Sequence, residues 1–237
     1  MRRPLPILAG VAALAVAAPA TAITGGGLDG SAHPAVALLL ADRGNGPEPN
    51  CSAALVAPRL LVTAAHCAAG TSTDRVEVSF DTHFVPGSSS TLPGTIHPDP
   101  AWSPAAKDTH DVAVVVLDDA APTTPLALPS PGALDSATLR GADFTNVGYG
   151  FSDRPFAFDG YRRTSISSFT SLKPTELRLS QKPGGVCFGD SGGPRLAGST
   201  VVAVTSTGNA NCTGQSISYR LDTPSALAFL ARYAAGP

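Results

Sequence analysis

Turn-forming residues interrupt this chain too often for long helices. Its 237 residues include 24 glycines and 22 prolines, with no period of three. Proline lacks a backbone donor and glycine is entropically costly inside a helix, so short strands and many turns are expected, not a collagen-like rod. The segments between turns alternate apolar and polar residues with a period of two, the signature of half-buried strands. Residues 75–80 set Val76, Val78 and Phe80 on one face, and residues 216–222 do the same with Ile217, Tyr219 and Leu221. Residues 112–117 and 200–205 are apolar enough for strands covered on both faces. Turn signals fall at 44–47, 86–88 and 153–160. Only the C-terminal end reads as a helix. Thr223 can cap it, Pro224 suits its first turn, and Leu227, Leu230 and Ala231 share a face.

The fold class is therefore all-β with a short C-terminal helix. Residues 121–131 hold Pro122, Pro125, Pro129 and Pro131, which stiffen the chain into a connector. The expected organisation is a leader over 1–22, one β half over 23–120, the connector over 121–131, and a second half over 132–237. Periodicity alone does not choose between sandwich and barrel.

The leader carries Arg2 and Arg3, an apolar stretch from Leu5 to Ala18, and the small-x-small string Ala20-Thr21-Ala22. That pattern reads as a secretory signal peptide, too short to span a bilayer as a permanent anchor. Export predicts an extracellular protein with no membrane association after the leader is removed. The net charge of −2, which becomes −4 without the two leader arginines, excludes a strongly basic nucleic-acid binder. The hydrophobic fraction of 43% against 14% charged residues excludes disorder.

Four cysteines, Cys51, Cys67, Cys187 and Cys212, suit disulfides in an exported chain. Three pairings are open; the sequential one closes short loops. A metal site is not expected, because no pair has C-x-x-C spacing and only His66 adjoins a cysteine.

The chemistry sits in three short segments: Thr63-Ala64-Ala65-His66-Cys67, Asp111-Val112-Ala113-Val114 and Gly189-Asp190-Ser191-Gly192-Gly193-Pro194. Acyl transfer at neutral pH needs a hydroxyl nucleophile, a base to take its proton, and an acid group to orient the base. These segments offer one of each. The glycines around Ser191 permit a sharp turn and close approach of backbone N–H groups. His33, His83, His97 and His110 lie in polar or loop-like stretches and read as surface residues. Asp108, in a polar run, reads as solvated.

Together these strings resemble the trypsin/chymotrypsin-type serine proteases, in the compact secreted bacterial form, over essentially the whole chain from Ile23 onward. The resemblance implies two six-stranded antiparallel β-barrels with a cleft between them. It implies that Ser191 attacks a peptide carbonyl, His66 acts as general base and acid, Asp111 orients His66, and the N–H groups of Gly189 and Ser191 form an oxyanion hole. It also implies disulfides Cys51–Cys67 and Cys187–Cys212, and it makes Gly148-Tyr149-Gly150 a family turn with tyrosine in place of tryptophan. An Ile23 start, released behind Ala20-Thr21-Ala22, would present an ammonium to pair with Asp190.

For the substrate pocket, the resemblance puts Gly185 at the floor, Ser206 and Thr207 on the substrate-pairing strand and Gly208 on the wall. A floor without an aspartate predicts uncharged, apolar preference instead of Lys or Arg. Partners are protein or peptide substrates and proteinaceous inhibitors, with no cofactor and a monomeric chain. Two other classes stay in view: a catalytically silent binding protein of protease shape, and an esterase or other acyl hydrolase.

Overall fold

The computed structural model describes residues 23–136, 141–151 and 157–234. The leader reading, part of the 153–160 turn and the chain end therefore lie outside the described residues. Six strands close the first barrel: β2 (Val36–Asp42), β3 (Pro47–Ala57), β4 (Leu60–Thr63), β5 (Arg75–Ser79), β6 (Leu92–Pro98) and β7 (Ala113–Leu117). Around the barrel they run β2-β3-β4-β7-β6-β5, every pair antiparallel. Leu39, Leu55, Leu61, Val78, Val115 and Leu117 fill its interior. Alternation explains β7: Val115 and Leu117 enter this core, while Val112 and Val114 face the second half of the molecule.

The second barrel contains β8 (Asp143–Gly148), β9 (Arg163–Leu172), β10 (Glu176–Pro183), β11 (Pro194–Ala197), β12 (Thr200–Gly208) and β13 (Gln215–Arg220). Its order is β9-β10-β13-β12-β11-β8, and pairing of β8 with β9 closes it. The short β1 (Gly27–Leu28) adds to β9, so the first strand of the chain joins the second barrel, although sequence order places it with the first half. The connector region is tied to both barrels: Leu126 N–H donates to Leu55, and Ala127 bridges Thr200. Arg162, 1% exposed, also spans the halves, donating to the carbonyls of Gly30, Val36 and Phe80 and pairing with Asp29 at 2.9 Å.

The helix α1 (Pro224–Ala234) starts where expected. Thr223 Oγ accepts the Ala226 N–H at 3.3 Å. Its buried face differs from the expected one: Ala226, Phe229 and Leu230 pack between the barrels, while Ala231 is exposed. The larger Phe229 ring turns the helix toward Val114 and Leu221. The β13 face is also corrected. Tyr219 and Leu221 do pack against apolar residues, but Ser216 and Ser218 on the opposite face are fully buried too. They face a polar barrel interior that holds Arg195, Asn146 and Ser167, all with no exposed surface.

Candidate active site

The first barrel presents His66. β4 ends at Thr63, and a single 3-10 turn over Ala65–Ala68 carries His66 into the cleft. Cys67 in that turn is bonded to Cys51 of β3, pinning the turn to the barrel. Asp111, on the approach to β7, is 3% exposed. Its carboxylate accepts the His66 backbone N–H at 3.0 Å and contacts His66 Nδ1 at 2.9 Å. The Ser206 hydroxyl of β12 donates to the same carboxylate. Burial pushes the Asp111 carboxyl up, but His66, Ser206 and the His66 amide together outweigh burial and hold it below its ordinary value. An anionic Asp111 keeps the proton on Nδ1 and leaves Nε2 as an acceptor.

Ser191 comes from the second barrel, in the loop ahead of β11. Gly192 adopts φ +74°, and a Cβ there would lie 2.0 Å from Thr63 Oγ1, so only glycine lets this loop reach the segment before His66. Ser52 of β3 holds the loop from the other side. Its N–H donates to the Ser191 carbonyl at 2.8 Å and its hydroxyl to the Gly189 carbonyl at 3.0 Å. Ser191 and Ser206 line one cavity of about 120 Å³ with Cys187, Phe188, Thr207 and Gly208. Among the described residues, no hydrogen bond joins Ser191 to His66. Catalytic hydrogen bonds are often unformed in unliganded sites and tighten when substrate binds.

Asp190 has no exposed surface and accepts the N–H groups of Gly150 and Cys187, each at 2.8 Å. Burial pushes its carboxyl up to about 7, against those two bonds. Ile23 is equally buried, and the Thr24 carbonyl accepts the Gly185 N–H at 2.8 Å, so the start of the described chain docks beside the cavity. Ile23 and Asp190 share no hydrogen bond here; behind Ala22 the Ile23 nitrogen is an amide. The second disulfide joins Cys187 to Cys212 across the cavity rim.

The sequence also aligns with a known family model. Trypsin matches residues 27–228. The chain belongs to the trypsin family. Among solved structures, GrC is similar at a TM-score of 0.71 and 19% identity, covering 88% of this chain and 97% of its own. Human heparin binding protein is similar at 0.73 and 18%, covering 91% and 98%. An atomic-resolution structure of HBP gives 0.73 and 19%, with the same coverage. No curated protein matches the sequence. At these identities the likeness concerns the fold.

Within this trypsin-family site several residues had no distinctive sequence signal. Ser52, Gln181, Arg195 and Ser216 look like ordinary strand residues, and only tertiary contacts reveal them. Gln181 packs into the place a side chain on Gly185 would take, with Oε1 2.0 Å from a Cβ there. The surface histidines are also more engaged than expected. His33 pairs with Asp29, His83 stacks on Tyr161 at 3.8 Å, His97 stacks on Tyr233, and His110 lies 3.2 Å from Asp99. Asp108 is not simply solvated, since Tyr219 donates to it at 3.0 Å. Cys51, His66 and Cys67 cluster closely enough for metal ligands, but both thiols are consumed in a disulfide. No helix among the described residues is long and apolar enough to cross a membrane.

Proposed function

We propose that this trypsin-family chain is a secreted serine endopeptidase working through His66, Asp111 and Ser191. The observation that carries the proposal is the buried Asp111 carboxylate. It gathers the His66 ring, the His66 amide and the Ser206 hydroxyl at one point in the cleft, beside the Ser191 loop. Ser206 of that cluster lines the same cavity as Ser191. In this reading Nε2 of His66 takes the Ser191 proton as Oγ attacks the peptide carbonyl. Asp111 stabilises the imidazolium, and the same proton then goes to the leaving amine. The N–H groups of Gly189 and Ser191 hold the oxyanion, each worth about 3 kcal/mol of barrier. Water then hydrolyses the acyl-enzyme.

Activation is part of the proposal. Cleavage after Ala22 would free the Ile23 ammonium, and the buried Asp190 carboxylate offers the counter-charge without which either ion is costly to bury. N-terminal sequencing of secreted protein should read Ile-Thr-Gly-Gly. Any other start removes the direct link between export and activation.

The rival reading is a binding protein on the same fold, which the similarity to human heparin binding protein keeps in view. An acyl hydrolase of small esters is a third. An organofluorophosphonate probe separates the first two. Covalent labelling lost in Ser191→Ala supports the enzyme; an unlabelled native protein with intact fold defeats it. Turnover of a peptide amide beside its matched ester separates protease from esterase.

A further inference from the structure

The interior of the second barrel contains a cation that, among the described residues, makes no direct ion pair, although Asp190 acts on it at longer range. Arg195 on β11 has no exposed surface, and all three of its nitrogens bond to neutral oxygens. Nε donates to Ser218 Oγ at 2.8 Å, Nη2 to Ser216 Oγ at 2.9 Å, and Nη1 to Asn146 Oδ1. β12 lies between β11 and β13 in the sheet, so the bonds to Ser216 and Ser218 reach over β12. Ser216 is paired directly with Gly208, the cavity wall, and opposite partners on an antiparallel pair share a face. The Ser216 and Ser218 hydroxyls accept from Arg195, and neither donates to any described residue.

Gln181 sits behind the cavity lining. Its Oε1 accepts the Val186 N–H at 2.6 Å and its Nε2 donates to the Val186 carbonyl at 3.0 Å, which fixes the amide orientation. One hydrogen remains on Nε2, which lies 3.7 Å from where a Cβ on Gly208 would be. Gln181 thus places an N–H donor directly behind the lining residues Val186 and Gly208, and Ser216, paired with Gly208, hydrogen-bonds the buried Arg195 guanidinium.

We propose that the pocket beside Ser191 takes an acidic side chain on the acyl side of the scissile bond, with Gln181 and Arg195 as its specificity-determining residues. This rests on the endopeptidase reading and replaces the apolar preference expected from Gly185 alone. An apolar side chain would strand the Gln181 N–H and the hydroxyl donors in a desolvated place, whereas a carboxylate satisfies them. A Lys or Arg side chain would meet a like charge. Charge balance agrees. Arg163 nearby is matched by Asp159 at 2.7 Å, and an Ile23 ammonium would match Asp190. Asp190 acts favourably on Arg195 at longer range, and with Asp190 committed to that ammonium a substrate carboxylate would supply the missing counter-charge.

The test uses the chain starting at Ile23 and peptide substrates identical except for Glu, Gln, Leu or Lys at the cleavage residue. kcat/KM for Glu should exceed that for Gln at least tenfold and that for Leu about a hundredfold, with Lys the poorest. Gln181→Glu, which puts a carboxylate behind Gly208, should erase the Glu preference while fluorophosphonate labelling of Ser191 persists. Arg195→Met should do the same, and Gln181→Glu stands in for it should Arg195→Met not fold. Calorimetry of Ser191→Ala with product peptides ending in Glu, Leu or Lys reads the pocket without turnover. Glu-ending peptides binding tightest to a protein that never labels would uphold the pocket and overturn the protease. Robust labelling with Leu or Lys equal to Glu, in both cleavage and binding, would overturn the pocket.

Discussion

Asp111 receives donors from two barrels, and its behaviour is set by how many of them survive. Replacing it with asparagine keeps the shape but can place the wrong tautomer on His66, so Asp111→Asn should lower kcat by roughly 10³–10⁴. Ser206→Ala removes one charge-assisted bond worth about 1.5 kcal/mol, so kcat/KM should fall roughly tenfold. Steady-state kinetics on one good substrate checks both, and an unchanged Ser206→Ala would show that the third donor is dispensable. Ser52 is a subtler case. It touches neither His66 nor substrate space, yet it bonds the backbone on both sides of Asp190. Nothing in a serine flanked by Cys51 and Ala53 hints at this, because the loop it holds is 137 residues away.

At the scale of elements, the turn that carries His66 is short and makes few bonds of its own. A four-residue 3-10 turn is marginal in isolation. The Cys51–Cys67 bridge, closing a separation of 16 residues, supplies what the turn lacks. Replacing both cysteines with serine should cost about 3 kcal/mol of stability, read as a lower denaturation midpoint in urea. The same variant should lose kcat more than KM, since the base is loosened and the pocket is built elsewhere. An unaltered midpoint would mean the barrel alone holds the turn. The helix at the C-terminus shows how far pattern reading goes. Its start and its cap follow from Thr223 and Pro224. Its rotation does not, because Phe229 finds a socket between β7 and the end of β13 that no local rule specifies.

Across the whole molecule, the proposed pairing of the buried Ile23 and Asp190 would couple processing to pH. In a chain that retains residues ahead of Ile23, burial holds Asp190 near 7. The folded state then prefers the protonated acid. Its stabilising effect is complete below the unfolded carboxyl value of about 4 and is lost as pH rises through 7. The full span is on the order of 4 kcal/mol. Thermal melts should show a chain retaining Ala20-Thr21-Ala22 losing stability between pH 4 and 8 relative to the chain beginning at Ile23, whose ammonium compensates the charge. Parallel melting curves for the two would break the proposed link.

The sequence by itself determined the strand-rich class, the placing of β5, β7 and α1, and the three chemical strings, because period-two alternation and short-range motifs are local properties. Tertiary structure decided what depends on chain segments meeting. The first strand joins the second barrel, the connector clasps both, and the interior face of β13 is polar instead of apolar. A buried arginine among serines has no local signature, since alternation reads Ser216 and Ser218 as solvent-facing. Only closure of the barrel turns them inward, where their hydroxyls accept from a desolvated guanidinium that would otherwise be costly to bury.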